Sequence, residues 1–123
     1  MALSRALRLR KGSDFRRVRQ QGRSIASRLL ILAWAPNDVA RLRIGFVISK
    51  RISKHAVERN YIKRLLSEAI RPFLADLPAG WDIIVSARNQ LIGVDLRILK
   101  QDVATLLHKA RLLDCSQRSG TSS

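Results

Sequence analysis

Residues 41–49, RLRIGFVIS, alternate without a break. Leu42, Ile44, Phe46 and Ile48 fall on one side of an extended chain, and Arg41, Arg43, Gly45, Val47 and Ser49 on the other. Such a segment fits a strand with one side covered, since a one-residue slip would turn its whole apolar set outward. The preceding run LLILAWA, residues 29–35, has strand length and stops at PND. These two runs are expected to pair antiparallel through a turn around Pro36–Asp38. After the breaking segment LPAG, WDIIVSAR supplies a third strand.

Helical spacing fills the intervals. Ser13 is placed to cap a short helix, DFRRVRQQ, that Gly22 would stop. Phe15 and Val18 share one side of it, with Arg16, Arg17 and Arg19 around the rest. A second helix is expected from about Ala56 to Phe73, running through Pro72. Asp95 is placed to cap a third, whose inner face would be Leu96, Leu99, Val103, Leu106, Leu107 and Ala110. Residues 1–113 read as one domain, and the tail 114–123, without apolar anchors, reads as disordered.

Charge narrows the function. In 123 residues, 24 Lys and Arg face 9 Asp and Glu, a net charge of +15. A compact domain with that charge repels itself unless a polyanion binds it. Arg outnumbers Lys 18 to 6, which favours bidentate contacts with phosphate. Nearly all of the excess lies in residues 1–71, so the ligand surface should lie there as well.

The stretch 50–71 shows how that charge is arranged. On a helical wheel, Tyr61, Ile62, Leu65, Leu66, Ala69, Ile70 and Phe73 fall within an arc of roughly 180°, the expected buried face. Arg59, Asn60, Lys63, Arg64, Ser67 and Arg71 fill an arc of about 140° that contains neither Glu58 nor Glu68. A solvated helix commonly pairs Glu with Lys four residues on; an arc free of carboxylates suits phosphates instead. Lys50, Arg51 and Lys54 lead into the helix N-terminus, where backbone N–H groups also favour an anion.

At these residues the chain resembles the protein component of bacterial ribonuclease P. The family carries a basic helix with an Arg-Asn-Arg core, matched here by AVERNYIKRLLSEA. LRKGSDFRRVRQQGRS, LRIGFVISKR and WDIIVSAR also stand in the family's order and spacing. The resemblance implies an α+β fold: an αβ sandwich in the order α-β-β-β-α-β-α, with a left-handed βαβ crossover and a short extra strand around residues 23–27. It implies binding of the catalytic RNA subunit through Arg59, Asn60, Lys63 and Arg64, flanked by Lys50, Arg51 and Lys54. It further implies that the single-stranded 5′ leader of precursor tRNA lies between the first helix and the sheet. There Phe15 would be the cleft aromatic, with Arg16, Arg17 and Arg19 supplying charge. The RNA, with magnesium that it mainly binds itself, would perform the hydrolysis; no cofactor and no catalytic residue are implied for the protein. Tyr61 and Ser67 stand where the family often has Arg, and Arg19 and Ala33 where it often has aromatics. This cleft should therefore rely less on stacking and more on charge.

Other classes fit less well. His55 and His108 lie on separate elements and the acids are scattered, which is poor material for a protein-only nuclease. The single Cys115 excludes an internal disulfide or a zinc cluster. A helix-turn-helix DNA reader would need a helix, not a strand and loop, before its basic helix. From charge alone, the rival is a non-catalytic, ribosomal-protein-like RNA binder. Arg5, Arg8 and Arg10 interrupt any signal-peptide core, and no run is long enough to span a membrane, so a cytoplasmic location is expected.

Overall fold

In the computed structural model, the residues described are 9, 12–37, 39, 41–48 and 54–112. In chain order the elements are α1 (Gly12–Gln21), β1 (Arg23–Ala26), β2 (Leu30–Pro36), β3 (Arg43–Val47), α2 (Ala56–Ile70), β4 (Trp81–Ala87) and α3 (Leu96–Lys109). Short 3₁₀ segments cover Arg71–Asp76 and Asn89–Leu91. Helix and strand order match the expected α+β arrangement, including the short strand β1. Lys50, Arg51 and the tail 114–123 lie outside the described residues.

The strands form one sheet in the order β1-β2-β4-β3. This overturns the expected hairpin between β2 and β3. Each pairs with β4 instead, β2 antiparallel and β3 parallel. The physical reason lies in β4. Residues Asp82, Ile83, Ile84 and Val85 are all buried, so this strand needs neighbours on both edges and cover on both faces. β2 therefore ends, and β3 begins, beside the start of β4, and α2 lies between β3 and β4 in the chain.

The two faces of the sheet are unequal. Leu30, Leu32 and Trp34 of β2, Ile44 of β3, and Ile83 and Val85 of β4 pack under α2 and α3 in the main core. On α3, Leu99, Val103, Leu106 and Leu107 are buried, with Leu96 and Ala110 packed at the margin, as its periodicity indicates. The opposite face offers Ala33, Ala35, Gly45 and Ile84, a floor of mostly small residues on which α1 lies through Val18 and Phe15.

Local corrections have local causes. α1 begins at Gly12, so Ser13 sits in its first turn and not before it. α2 ends at Ile70, and the chain tightens into the 3₁₀ segment that holds Pro72, which has no N–H to continue an α-helix. Asp95 occupies the N-cap position of α3 but makes no side-chain cap bond.

Gly22 sets how closely α1 approaches β2. Its N–H donates to the Val18 carbonyl at 2.9 Å. A Cβ there would lie 2.3 Å from the Trp34 carbonyl oxygen and 2.5 Å from that of Val18. Both are backbone atoms that cannot swing aside. Gly22→Ala is therefore expected to lower the unfolding free energy by about 1–3 kcal/mol, the range for overpacking. Urea denaturation checks this, and an unchanged midpoint would show that the α1–β1 corner has slack.

Candidate nucleic-acid interface

The small-residue floor leaves α1 covering only part of its face. Beside it runs a cleft of about 340 Å³, with Ile31, Ala33, Val47 and Ile84 at its base and Arg19 and Arg23 at its rim. Ile31 is 38% exposed although it lies in a strand otherwise buried from Leu30 to Ala35. No carboxylate lines the cleft. An apolar base under cationic edges suits an extended strand of single-stranded nucleic acid.

Phe15 is not among the residues that line this cleft. Its ring packs over Gly45 of β3. A Cβ on Gly45 would stand 2.5 Å from the ring's Cζ, so only glycine admits the ring at this depth. Half-buried beside Val18 and Leu9, Phe15 anchors α1. Arg16 and Arg19 are exposed.

Arg17, expected to lend charge to the cleft, points the other way. It donates to the carboxylate of Asp82, which is 0% exposed, and to the Pro36 carbonyl at 2.6 Å. Arg43 forks onto the same carboxylate, Nε to Oδ1 at 2.8 Å and Nη2 to Oδ2 at 2.9 Å. Asn37 Nδ2 donates to Oδ1 at 2.8 Å. Asp14 stands 3.5 Å from Arg43, closing a cluster of two carboxylates and two guanidiniums. The hydrogen bond to Asp82 is the main cause that raises the Arg43 pKa above its ordinary value, while desolvation opposes it. Sequence reading missed this cluster; the available signal was a lone acid entering an apolar strand, WDIIV. Arg17 and Arg43 thus neutralise buried charge and add little to the polyanion surface.

On the opposite face of the sheet, α2 exposes Asn60, Lys63 and Arg64, with Arg59 half-buried and Lys54 exposed just before the helix. Two positions depart from the helical-wheel expectation. Tyr61 is 56% exposed and Ser67 only 3%. The buried arc centres on Ile62, Leu66 and Ala69, so Tyr61, about 100° from Ile62, turns outward. Ser67 is small enough to be buried, and its hydroxyl donates to the Lys63 carbonyl at 3.0 Å. The outer surface of α2 therefore carries Val57 and Tyr61 among its cations.

His55 and His108 stay on separate elements, at the start of α2 and late in α3. Among the described residues, no three His, Cys, Asp or Glu side chains gather as a metal-binding group. No described helix is long and apolar enough to cross a membrane.

The ribonuclease P family model matches residues 3–111. The ribonuclease P protein component of Chloroflexus aurantiacus is 43% identical over 112 residues, covering 90% of this chain and 82% of that protein. That of Caldanaerobacter subterraneus is 34% identical, covering 90% and 95%. Among solved structures, the RNase P protein of Staphylococcus aureus superposes with a TM-score of 0.80 at 29% identity, covering 89% of this chain and 100% of that one. The RNase P protein of Thermotoga maritima gives 0.74 at 27% identity, covering 83% and 96%.

Removing the buried carboxylate should leave two guanidiniums facing each other with only the partly exposed Asp14 to offset them. Asp82→Ala is expected to destabilise the fold by about 3–5 kcal/mol, the range for breaking a buried ion pair. Thermal and urea unfolding measure this. A loss within the roughly 0.5 kcal/mol typical of surface substitutions would mean that the cluster does not hold α1 to the sheet.

Proposed function

From the premise that this chain belongs to the ribonuclease P protein family and is the protein subunit of that ribonucleoprotein, we propose that it holds two RNAs at once. The catalytic RNA subunit binds along α2, through Lys54, Arg59, Asn60, Lys63 and Arg64, with Lys50 and Arg51 flanking the helix. The 5′ leader of precursor tRNA lies in the cleft beside α1, near Phe15, Arg16 and Arg19. The observation that carries this reading is the placing of exposed cations on opposite faces of one sheet, which lets two polyanions bind without displacing each other.

In this reading the protein positions and the RNA catalyses. Guanidinium and ammonium groups on α2 neutralise phosphates and release their condensed counterions, which supplies affinity without sequence preference. The apolar base of the cleft takes bases or sugars of a leader whose sequence varies, while Arg19 and Arg16 track its backbone. Restricting the leader in this way aligns the scissile phosphodiester with the catalytic RNA and lowers the entropic part of the barrier. Magnesium supplies the metal-ion chemistry of hydrolysis when bound by the RNA. In this reading no step passes through a protein-bound ion. A cytoplasmic site of action accords with a tRNA-processing role.

Two measurements test the proposal. Arg64→Ala should lower affinity for a bacterial ribonuclease P RNA and flatten the log–log salt dependence by about 0.7–0.9, the contribution of one phosphate contact. Its melting temperature should not move, since Arg64 is exposed. Unchanged RNA affinity would remove α2 from the interface. Separately, the purified protein in magnesium should leave precursor tRNA intact, and adding the RNA subunit should restore cleavage at the mature 5′ end. Tight RNA binding with no effect on cleavage would favour a purely structural RNA binder, and turnover without RNA would overturn RNA catalysis.

A further inference from the structure

A second cavity, of about 420 Å³, opens at the end of the sheet where α1 hands over to β1. Trp34 and Trp81, the only two tryptophans in the chain, both line it. Arg23 faces Trp34 across the β1–β2 ladder, and Pro36 faces Trp81 across the β2–β4 ladder. Trp34 is 8% exposed and belongs to the core, whereas Trp81 is half-buried at its margin. Arg23 and Arg111 stand at the rim, both exposed, and neither takes part in an ion pair among the described residues. No carboxylate lines this cavity either.

Arg111 is held unusually. It follows the C-cap of α3 with φ at 62°, the only non-glycine residue with positive φ among those described. Helices commonly end in this left-handed conformation, but with glycine there, because a Cβ is disfavoured. Its N–H donates to the His108 carbonyl at 3.0 Å, and that of Leu112 to the Leu107 carbonyl at 3.0 Å. Those bonds fix the turn, seat Leu112 in the cavity wall and leave the Arg111 side chain at the mouth. A strained residue at the edge of a concave, cationic, aromatic site points to a ligand.

The ligand class follows from the lining. A half-buried indole in a cavity wall suits a flat ring, and two guanidiniums take an anion while repelling a cationic guest. A nucleotide of single-stranded RNA has both parts. The route is also present, because Gly22 and Arg23 line this cavity and the cleft beside α1 alike. We infer that an RNA strand leaving the cleft passes Gly22 and places one base against Trp81, with its phosphate between Arg23 and Arg111. This inference rests on the leader-binding reading and adds to it a separate subsite, one that only a longer leader reaches.

The test uses protein assembled with a bacterial ribonuclease P RNA and three tRNA substrates: leaderless, with a leader that ends inside the cleft, and with one long enough to pass Gly22. Wild type should bind more tightly at each increase in leader length. Trp81→Leu should lose about tenfold in affinity for the long-leader substrate, within the range for one lost base stack, and nothing for the others. Arg111→Gly should lose several-fold on the long leader only and flatten its salt dependence by about 0.7. That variant also tests folding, since glycine relieves the left-handed turn and its melting temperature should hold or rise. Should Trp81→Leu fold poorly, Arg111→Gly alone decides. Retention of the full long-leader gain by a folded variant would overturn the subsite and leave the cleft intact. Equal affinity of wild type for all three substrates would instead overturn leader binding itself.

Discussion

A carboxylate with no solvent exposure lies at the start of the most enclosed strand, and the arrangement around it follows from satisfying its charge. Asp82 takes donors from α1 through Arg17, from β3 through Arg43 and from the turn after β2 through Asn37. Desolvating a carboxylate costs several kcal/mol, and pairing it roughly balances that cost without a large surplus. What the cluster contributes is therefore position. α1 can only lie where Arg17 reaches the carboxylate, and β3 only where Arg43 does. Breaking any arm leaves the buried carboxylate short of a donor.

The helix so placed needs a floor that lets it come close. Ala33, Ala35 and Gly45 supply one, and the Phe15 ring fills the depression over Gly45. The opposite face carries Leu30, Leu32, Trp34 and Ile44 under two helices. This inequality between faces has a functional consequence. Large side chains under α2 and α3 make a full core, while small ones under a ten-residue helix leave the cleft uncovered.

The charge inventory divides in the same way. Arg17 and Arg43 count toward the net +15 yet are consumed by acids inside the fold. Arg16 and Arg19 on one side, and Lys54, Lys63 and Arg64 on the other, stay exposed, with Arg23 exposed at the edge between the two cavities. Tyr61 and Val57, turned outward on α2, add apolar surface to a helix that looked purely cationic from its wheel. Contacts there with a polyanion would combine salt-sensitive and salt-insensitive parts.

Periodicity by itself determined the element types. RLRIGFVIS had to be a strand, and the α3 spacing had to bury Leu99, Val103, Leu106 and Leu107, because backbone geometry sets which side chains share a face. The excess of Arg pointed to a polyanion for an equally local reason. β1 left no such trace, since only Ile25 of its four residues is even half-buried. Tertiary structure alone decided the strand order, because pairing is chosen by which strand must be enclosed, and β4 comes last in the chain. It alone assigned Arg17 inward and Arg19 outward, since the partner of Arg17 lies 65 residues away. The same holds for the rotation of α2 that exposes Tyr61, and for the meeting of Trp34, Trp81 and Arg111. Each depends on contacts between residues far apart in sequence, and no local pattern encodes those.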